Sequence, residues 1–210
     1  MIGALAAFEL VGIAVFALTG ALVAARKGMD PFGFALLGTV TGIGGGTLRD
    51  IFIGATPLSW IIDPTALIIC VFVSTAAFFS AHRFESEGRA RLLLWADGVG
   101  LALFAVTGTA KALDASVPVI SAIVLGVMSA TFGGIIRDVI AGEVPFVLKR
   151  DIYVTAALFG ATVFAVALLV VHPFGAMALG FMAGFGVRAG AILKGWSLPT
   201  HGGGGADRRG

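Results

Sequence analysis

The sequence predicts an all-α integral membrane protein of seven transmembrane helices, arranged as a 3+3 inverted-topology repeat plus a seventh helix, with glycine-kinked second and fifth helices. Three observations predict it. Of 210 residues, 58% are hydrophobic and only 12% are charged, with a mean hydropathy of +1.02; a soluble protein would have too little polar surface at this composition. Apolar segments near the ~20 residues that cross a bilayer core occur at 4–25, 33–56, 64–82, 93–112, 117–139, 152–171 and 174–193. One unit is present twice. Gly45-Gly46-Thr47-Leu48-Arg49-Asp50 returns as Gly133-Gly134-Ile135-Ile136-Arg137-Asp138, at an offset of 88 residues that also relates Gly54, Pro57 and Asp63 to Gly142, Pro145 and Asp151.

The first span, 4–25, begins without a basic leader region, and its segment 11–20 matches 99–108 inside the fourth span. It is therefore expected to be a span and not a removable signal peptide. The second span, 33–56, holds Gly42, Gly44, Gly45 and Gly46 ahead of Arg49-Asp50. The third, 64–82, contains the only cysteine, Cys70, expected to be a small buried apolar residue; one cysteine excludes an intrachain disulfide.

The fourth span, 93–112, starts near Asp97, the repeat partner of Glu9, and ends at Lys111. The fifth, 117–139, carries Gly133-Gly134 and Arg137-Asp138, and the sixth, 152–171, is uniformly apolar. The seventh, 174–193, stands outside the symmetry, and its Gly180-x-x-x-Gly184 reads as a helix-packing face. The organisation is then a first repeat over 1–82, a cytoplasmic linker at 83–94, a second repeat over 95–171, the seventh helix within 172–193 and a Gly-rich disordered tail over 194–210.

Leaving aside the in-span Arg49, Arg137 and Arg188, ten basic residues follow the odd-numbered spans: Arg26, Lys27, Arg83, Arg89, Arg91, Lys149, Arg150, Lys194, Arg208 and Arg209. The other side has Lys111 alone. This bias places the N-terminus outside and the C-terminus in the cytoplasm. Three spans per repeat then turn the second copy upside down, the architecture of many transporters, with a permeation site at the repeat interface.

Each interior glycine costs about 1 kcal/mol of helix propensity, so the glycines of the second and fifth spans predict a kink or a short unwound stretch. They also read as packing stripes, Gly38/Gly42/Gly46 and Gly126/Ala130/Gly134. Arg49, Asp50, Arg137 and Asp138 fall at membrane depth, where an ionisable group is by default functional. Neighbours on a helix point ~100° apart, so cross-pairing is expected, Arg49 with Asp138 and Arg137 with Asp50, either as a gate or as a lock between repeats.

Thr41, Thr47, Ser129 and Thr131 lie beside the glycines, either lining a cation path with the freed carbonyls or bonding their own helices. Glu9 and Asp97 would place one carboxylate at each mouth, attracting cations or simply solvated. Lys111 reads as a snorkelling lysine or as a voltage-responsive plug. No metal-ligand spacing joins His82, His172 and His201, no phosphate-loop or nucleophile motif is present, and no basic stripe suits nucleic acid. Neither enzyme activity nor a cofactor nor a structural metal is expected.

The paired Gly-Gly-x-x-Arg-Asp motifs, the Phe-Ala-x-Thr-Gly segments and the inverted repeat together resemble the prokaryotic branch of the TRIC (trimeric intracellular cation) channels, over about residues 5–193. The resemblance implies a homotrimer in the lipid of a prokaryotic cytoplasmic membrane. Each protomer would have its own pore for K⁺ and Na⁺ between the kinked second and fifth helices. Gly44, Gly45, Gly46, Arg49, Asp50, Gly133, Gly134, Arg137 and Asp138 take the kink and pore positions. Phe132 stands where the first motif has Gly44, so the two halves are not equivalent. Related families also carry labels as small-solute carriers, including glycine transport, and a secondary transporter is the alternative reading.

Overall fold

The computed structural model describes residues 2–80, 86–148 and 152–197. His82, Arg83, Lys149, Arg150, Asp151, His201, Arg208, Arg209 and the tail expected to be disordered from 198 onward lie outside the described residues. The chain is all-helical: α1 (Ile2–Arg26), α2 (Pro31–Phe52), α3 (Ser59–Ile62), α4 (Thr65–Ser80), α5 (Ser86–Asp114), α6 (Val119–Ile140), α7 (Val154–Ala167) and α8 (Pro173–Lys194), with a 3₁₀ turn at Phe146–Leu148. Every predicted span overlaps one apolar helix. By length and composition α1, α5, α6 and α8 are long and apolar enough to cross a membrane, while α4 and α7 are shorter apolar helices.

The boundaries differ from the sequence reading in two instructive places. Helix α5 begins at Ser86, so most of the segment expected to be a linker is helical: residues 86–94 are rich in Arg, Ala and Leu, good helix formers, and Glu87 sits in the first turn, where the helix dipole favours a carboxylate. Helices α2 and α6 stop soon after their Arg-Asp pairs. Gly54 and Gly142 follow in the left-handed region, φ +71° and +66°. The amides of Gly54 and Ala55 bond to the carbonyls of Ile51 and Asp50, as those of Gly142 and Glu143 do to Val139 and Asp138. This is a Schellman stop, repeated in both halves. A Cβ in that conformation costs about 1–2 kcal/mol, so Gly54→Ala and Gly142→Ala should each lower stability by that amount in detergent unfolding; a neutral result for both would remove the left-handed stop as the reason for these glycines.

The repeats pack as near copies. Helix α1 lies on α2 and α4, α5 lies on α6 and α7, and the halves meet α1 against α5 and α2 against α6. Phe16 and Phe104, repeat partners, stack on each other across the pseudo-axis, centroids 5.1 Å apart and 9° from parallel. Helix α8 packs on α7 and α5, with Gly160 set against Gly180 and Gly184, the packing role expected for the last span.

Candidate functional site

Helices α2 and α6 run through their glycines unbroken, so the unwound stretch offered as one form of the interruption is not present in either. What the glycines do is bring backbones together. A Cβ on Gly45 would overlap the carbonyl oxygen of Ser129, and one on Gly133 the carbonyl oxygen of Thr41. The two helices therefore touch main chain to main chain at the centre. Gly44 sits beside this crossing with more room, its Cβ position 3.3 Å from Ile136 Cδ1.

On either side of the crossing lies a charged group built by the repeat. In the first, Arg49 Nε and Nη2 donate to Asp50 Oδ1 at 2.9 and 2.7 Å. Nη1 reaches Ser129 Oγ and Nη2 reaches Glu9 Oε1 on α1, both at 3.5 Å. Lys111 on α5 donates to the same Glu9 oxygen. In the second, Arg137 Nε donates to Asp138 Oδ1 and Nη1 to Asp97 Oδ1, both at 2.8 Å, and Nη1 also donates to Thr19 Oγ1 at 2.9 Å.

The expected cross-pairing of Arg49 with Asp138 and Arg137 with Asp50 is thus corrected: each arginine pairs with its own neighbour and with a carboxylate of its own repeat. Helical side chains lean back over the preceding turn, so each guanidinium lies beside the glycine three residues earlier, the Cβ positions of Gly46 and Gly134 being 3.7 and 3.6 Å from the Nη2 atoms of Arg49 and Arg137, and its Nε faces the following aspartate. Both arginines also occupy the last turn, where the helix dipole favours a cation.

A short cap covers each group. Ser59 Oγ on α3 donates to Asp50 Oδ2 at 3.4 Å and Trp60 Nε1 to Thr47 Oγ1 at 3.0 Å. In the second half the Phe146 amide donates to Asp138 Oδ2 at 3.1 Å, and its ring lies 5.4 Å from the Arg137 guanidinium carbon. The first group borders a cavity of about 160 Å³ that includes Glu9, Ser59, Trp60 and Asp63. Asp63, in the connection to α4, accepts from the Thr65 hydroxyl at 2.6 Å and amide at 3.0 Å, which holds its carboxyl below the usual range because the bonds favour the charged form.

The two halves differ in exposure. The Glu9 and Lys111 side chains are 18% and 25% exposed, whereas Asp97 and Arg137 are both at 0%. Asp97 is therefore no solvated mouth residue: it is buried against Arg137 and Tyr153. Thr41, Thr47 and Thr131 donate to the carbonyls of Leu37, Ile43 and Val127 on their own helices, while Ser129 accepts from Arg49. Two residues not singled out from the sequence join the second group. Tyr153 is 2% exposed and Arg188 1% exposed, the latter with its guanidinium carbon 5.2 Å from the Tyr153 ring centre. A lone arginine in an otherwise apolar span was the available signal. No cluster of three or more metal-ligating side chains forms among the described residues.

A family model described as glycine transporter matches residues 6–82 and 94–169. A UPF0126 membrane protein of Vibrio cholerae is 39% identical over 197 residues, 91% of this chain and 80% of that protein. The UPF0126 inner membrane protein YadS of Escherichia coli is 38% identical over 198 residues, 91% and 93% of the two chains. Among solved structures, the TRIC trimeric intracellular cation channel orthologue from Rhodobacter sphaeroides superposes with a TM-score of 0.88 at 46% identity, covering 91% of this chain and 98% of the other. A prokaryotic TRIC channel crystallised in 0.5 M KCl gives 0.89 at 29% identity, covering 94% and 100%.

Proposed function

This chain belongs to the prokaryotic TRIC channel family, and from that premise we propose that it is a channel for the monovalent cations K⁺ and Na⁺. In this reading it works as a homotrimer in the cytoplasmic membrane, N-terminus outside, with one path in each protomer between α2 and α6. The observation that carries the proposal is the pair of carboxylate–guanidinium groups flanking the Gly45/Gly133 crossing. An apolar bundle that holds so many charges needs a water-facing use for them, and two-fold placement about a closed contact suits a path with a chamber on each side.

Glu9 and Asp97 supply the negative field of the two chambers, and the Arg49–Asp50 and Arg137–Asp138 pairs hold the helix ends that must move for the crossing to open. Thr41, Thr47 and Thr131 spend their hydroxyl protons on their own helices, which leaves oxygen lone pairs for a passing cation; Ser129 offers its oxygen in the same way. Lys111, paired to Glu9, is placed to respond to voltage. The match to a model described as glycine transporter favours one second reading, a carrier of a small solute such as glycine, with the Glu9–Trp60–Asp63 cavity as its site.

Single-channel recording of purified protein in planar bilayers separates them. The channel reading expects discrete ohmic steps that reverse near the cation potential in a KCl gradient. Silent bilayers containing inserted protein, together with saturable uptake of labelled glycine into liposomes, would overturn it in favour of the carrier.

A further inference from the structure

The first charged group is electrically complete. Glu9 and Asp50 supply two carboxylates, Arg49 and Lys111 two cations, and each carboxylate has a cation bonded to it. Repeat symmetry carries Glu9, Arg49 and Asp50 onto Asp97, Arg137 and Asp138, but it places no cation where Lys111 stands, since that residue belongs to the second repeat. Asp97, Arg137 and Asp138 alone would leave one uncompensated negative charge at a fully buried position. Burying such a charge is costly.

Helix α8 supplies the missing cation from outside the repeat. Arg188 is 1% exposed and Gly98, next to Asp97, leaves space for its stem: a Cβ there would lie 3.1 Å from Arg188 Cγ. The guanidinium is held on the face of Tyr153, whose ring is 6.3 Å from that of Phe146. Arg137, Phe146, Tyr153 and Arg188 thus form a guanidinium–ring–ring–guanidinium series. Unlike Lys111, Arg188 does not bond its carboxylate. Its Nη1 donates to the Ile152 carbonyl at 3.3 Å. Its Nε and Nη2 and Arg137 Nη2 make no hydrogen bond, and the Tyr153 hydroxyl lies against Asp97.

We infer that Arg188 sets the charge of the second-repeat half of the cation path, as Lys111 does for the first-repeat half, and so determines how strongly that half attracts a permeating ion. The inference rests on the channel reading. Because Arg188 stands behind Tyr153 and bonds the Ile152 carbonyl in place of Asp97, its influence is through its field and not through a closed ion pair. It is a positioning charge at the path, and removing it raises cation occupancy of that half only.

The test is the shape of the current–voltage curve in symmetric KCl, in inside-out patches that fix the protein's orientation. Arg188→Gln should change the ratio of inward to outward current at least about twofold, since a local charge acts exponentially on ion concentration, and Lys111→Gln should change it in the opposite direction. Arg188→Lys keeps the charge and should keep the wild-type ratio. An unchanged ratio in Arg188→Gln overturns the inference while leaving the channel standing; an equal change in Arg188→Lys overturns it in favour of ring stacking. A silent wild type overturns both. Should Arg188→Gln not assemble, Arg188→His provides the same comparison in one protein, with a ratio that follows pH around about 6.5 if the charge is what matters and stays flat if it is not.

Discussion

Arg137→Ala is expected to cost about 3–5 kcal/mol of stability, the usual penalty for removing one member of a buried ion pair, and to be the most damaging single truncation in the chain. The guanidinium serves Asp97, Asp138 and Thr19 at 2.8, 2.8 and 2.9 Å, and the carboxylates it would abandon are 0% and 3% exposed. Arg49→Ala, its repeat partner, also breaks a buried pair, with Arg49 and Asp50 at 1% and 7% exposed, but should cost less, near the ~3 kcal/mol end of that range. Glu9 is 18% exposed and keeps Lys111, so only Asp50 loses its cation outright.

The comparison is made by thermal unfolding in detergent, with trimer content followed by size exclusion. Equal losses in the two variants would show that the difference in burial between the halves does not govern their energetics.

Gly45→Ala and Gly133→Ala form the second large effect, and they act on the opposite feature, the contact between α2 and α6. Each new methyl would overlap a main-chain carbonyl of the facing helix, Ser129 for one and Thr41 for the other. A side chain can rotate away from such an overlap, but a helix backbone cannot. Relief requires the helices to part, at about 1–3 kcal/mol for overpacking. In a channel whose path is shut at this crossing, the same displacement should lengthen openings. Gly44→Ala is the control, since its methyl would meet only the end of the Ile136 side chain at 3.3 Å, which can shift. Open probability and unfolding temperature are read on all three. If Gly45→Ala and Gly133→Ala behave as Gly44→Ala does, the crossing is not the closed point.

The membrane fold, its helix order and the doubling of one unit were legible in the sequence. Apolar length is a local property that a bilayer imposes directly, and charged residues and prolines are scarce enough here that Arg49/Arg137, Asp50/Asp138 and Pro57/Pro145 at one offset leave little room for chance. The charged candidates stood out for the same reason, since a charge inside an apolar span is rare, but the glycine stripes pointed elsewhere: Gly38 and Gly42 face Ser74 and Cys70 and Gly126 faces Thr109, whereas Gly45 and Gly133 make the α2–α6 contact.

Partnership was not legible, because who meets whom depends on the rotation and depth of each helix, and hydropathy records neither. The sequence places Arg49 beside Asp50 and suggests that they diverge; the guanidinium leaning back over the preceding turn brings its Nε and Nη2 to Asp50. Glu9 and Asp97 are equivalent by register, yet Asp97 is enclosed with Arg137 and Tyr153 while Glu9 stays part-exposed beside Lys111. Arg188 reads as a stray charge in a span outside the repeat, and Tyr153 as one more aromatic at a span edge. Only the docking of α8 against α5 and α7 brings Arg188 beside Gly98 and onto the Tyr153 ring, since a charge can come from any helix that packs close enough, whatever its place in the chain.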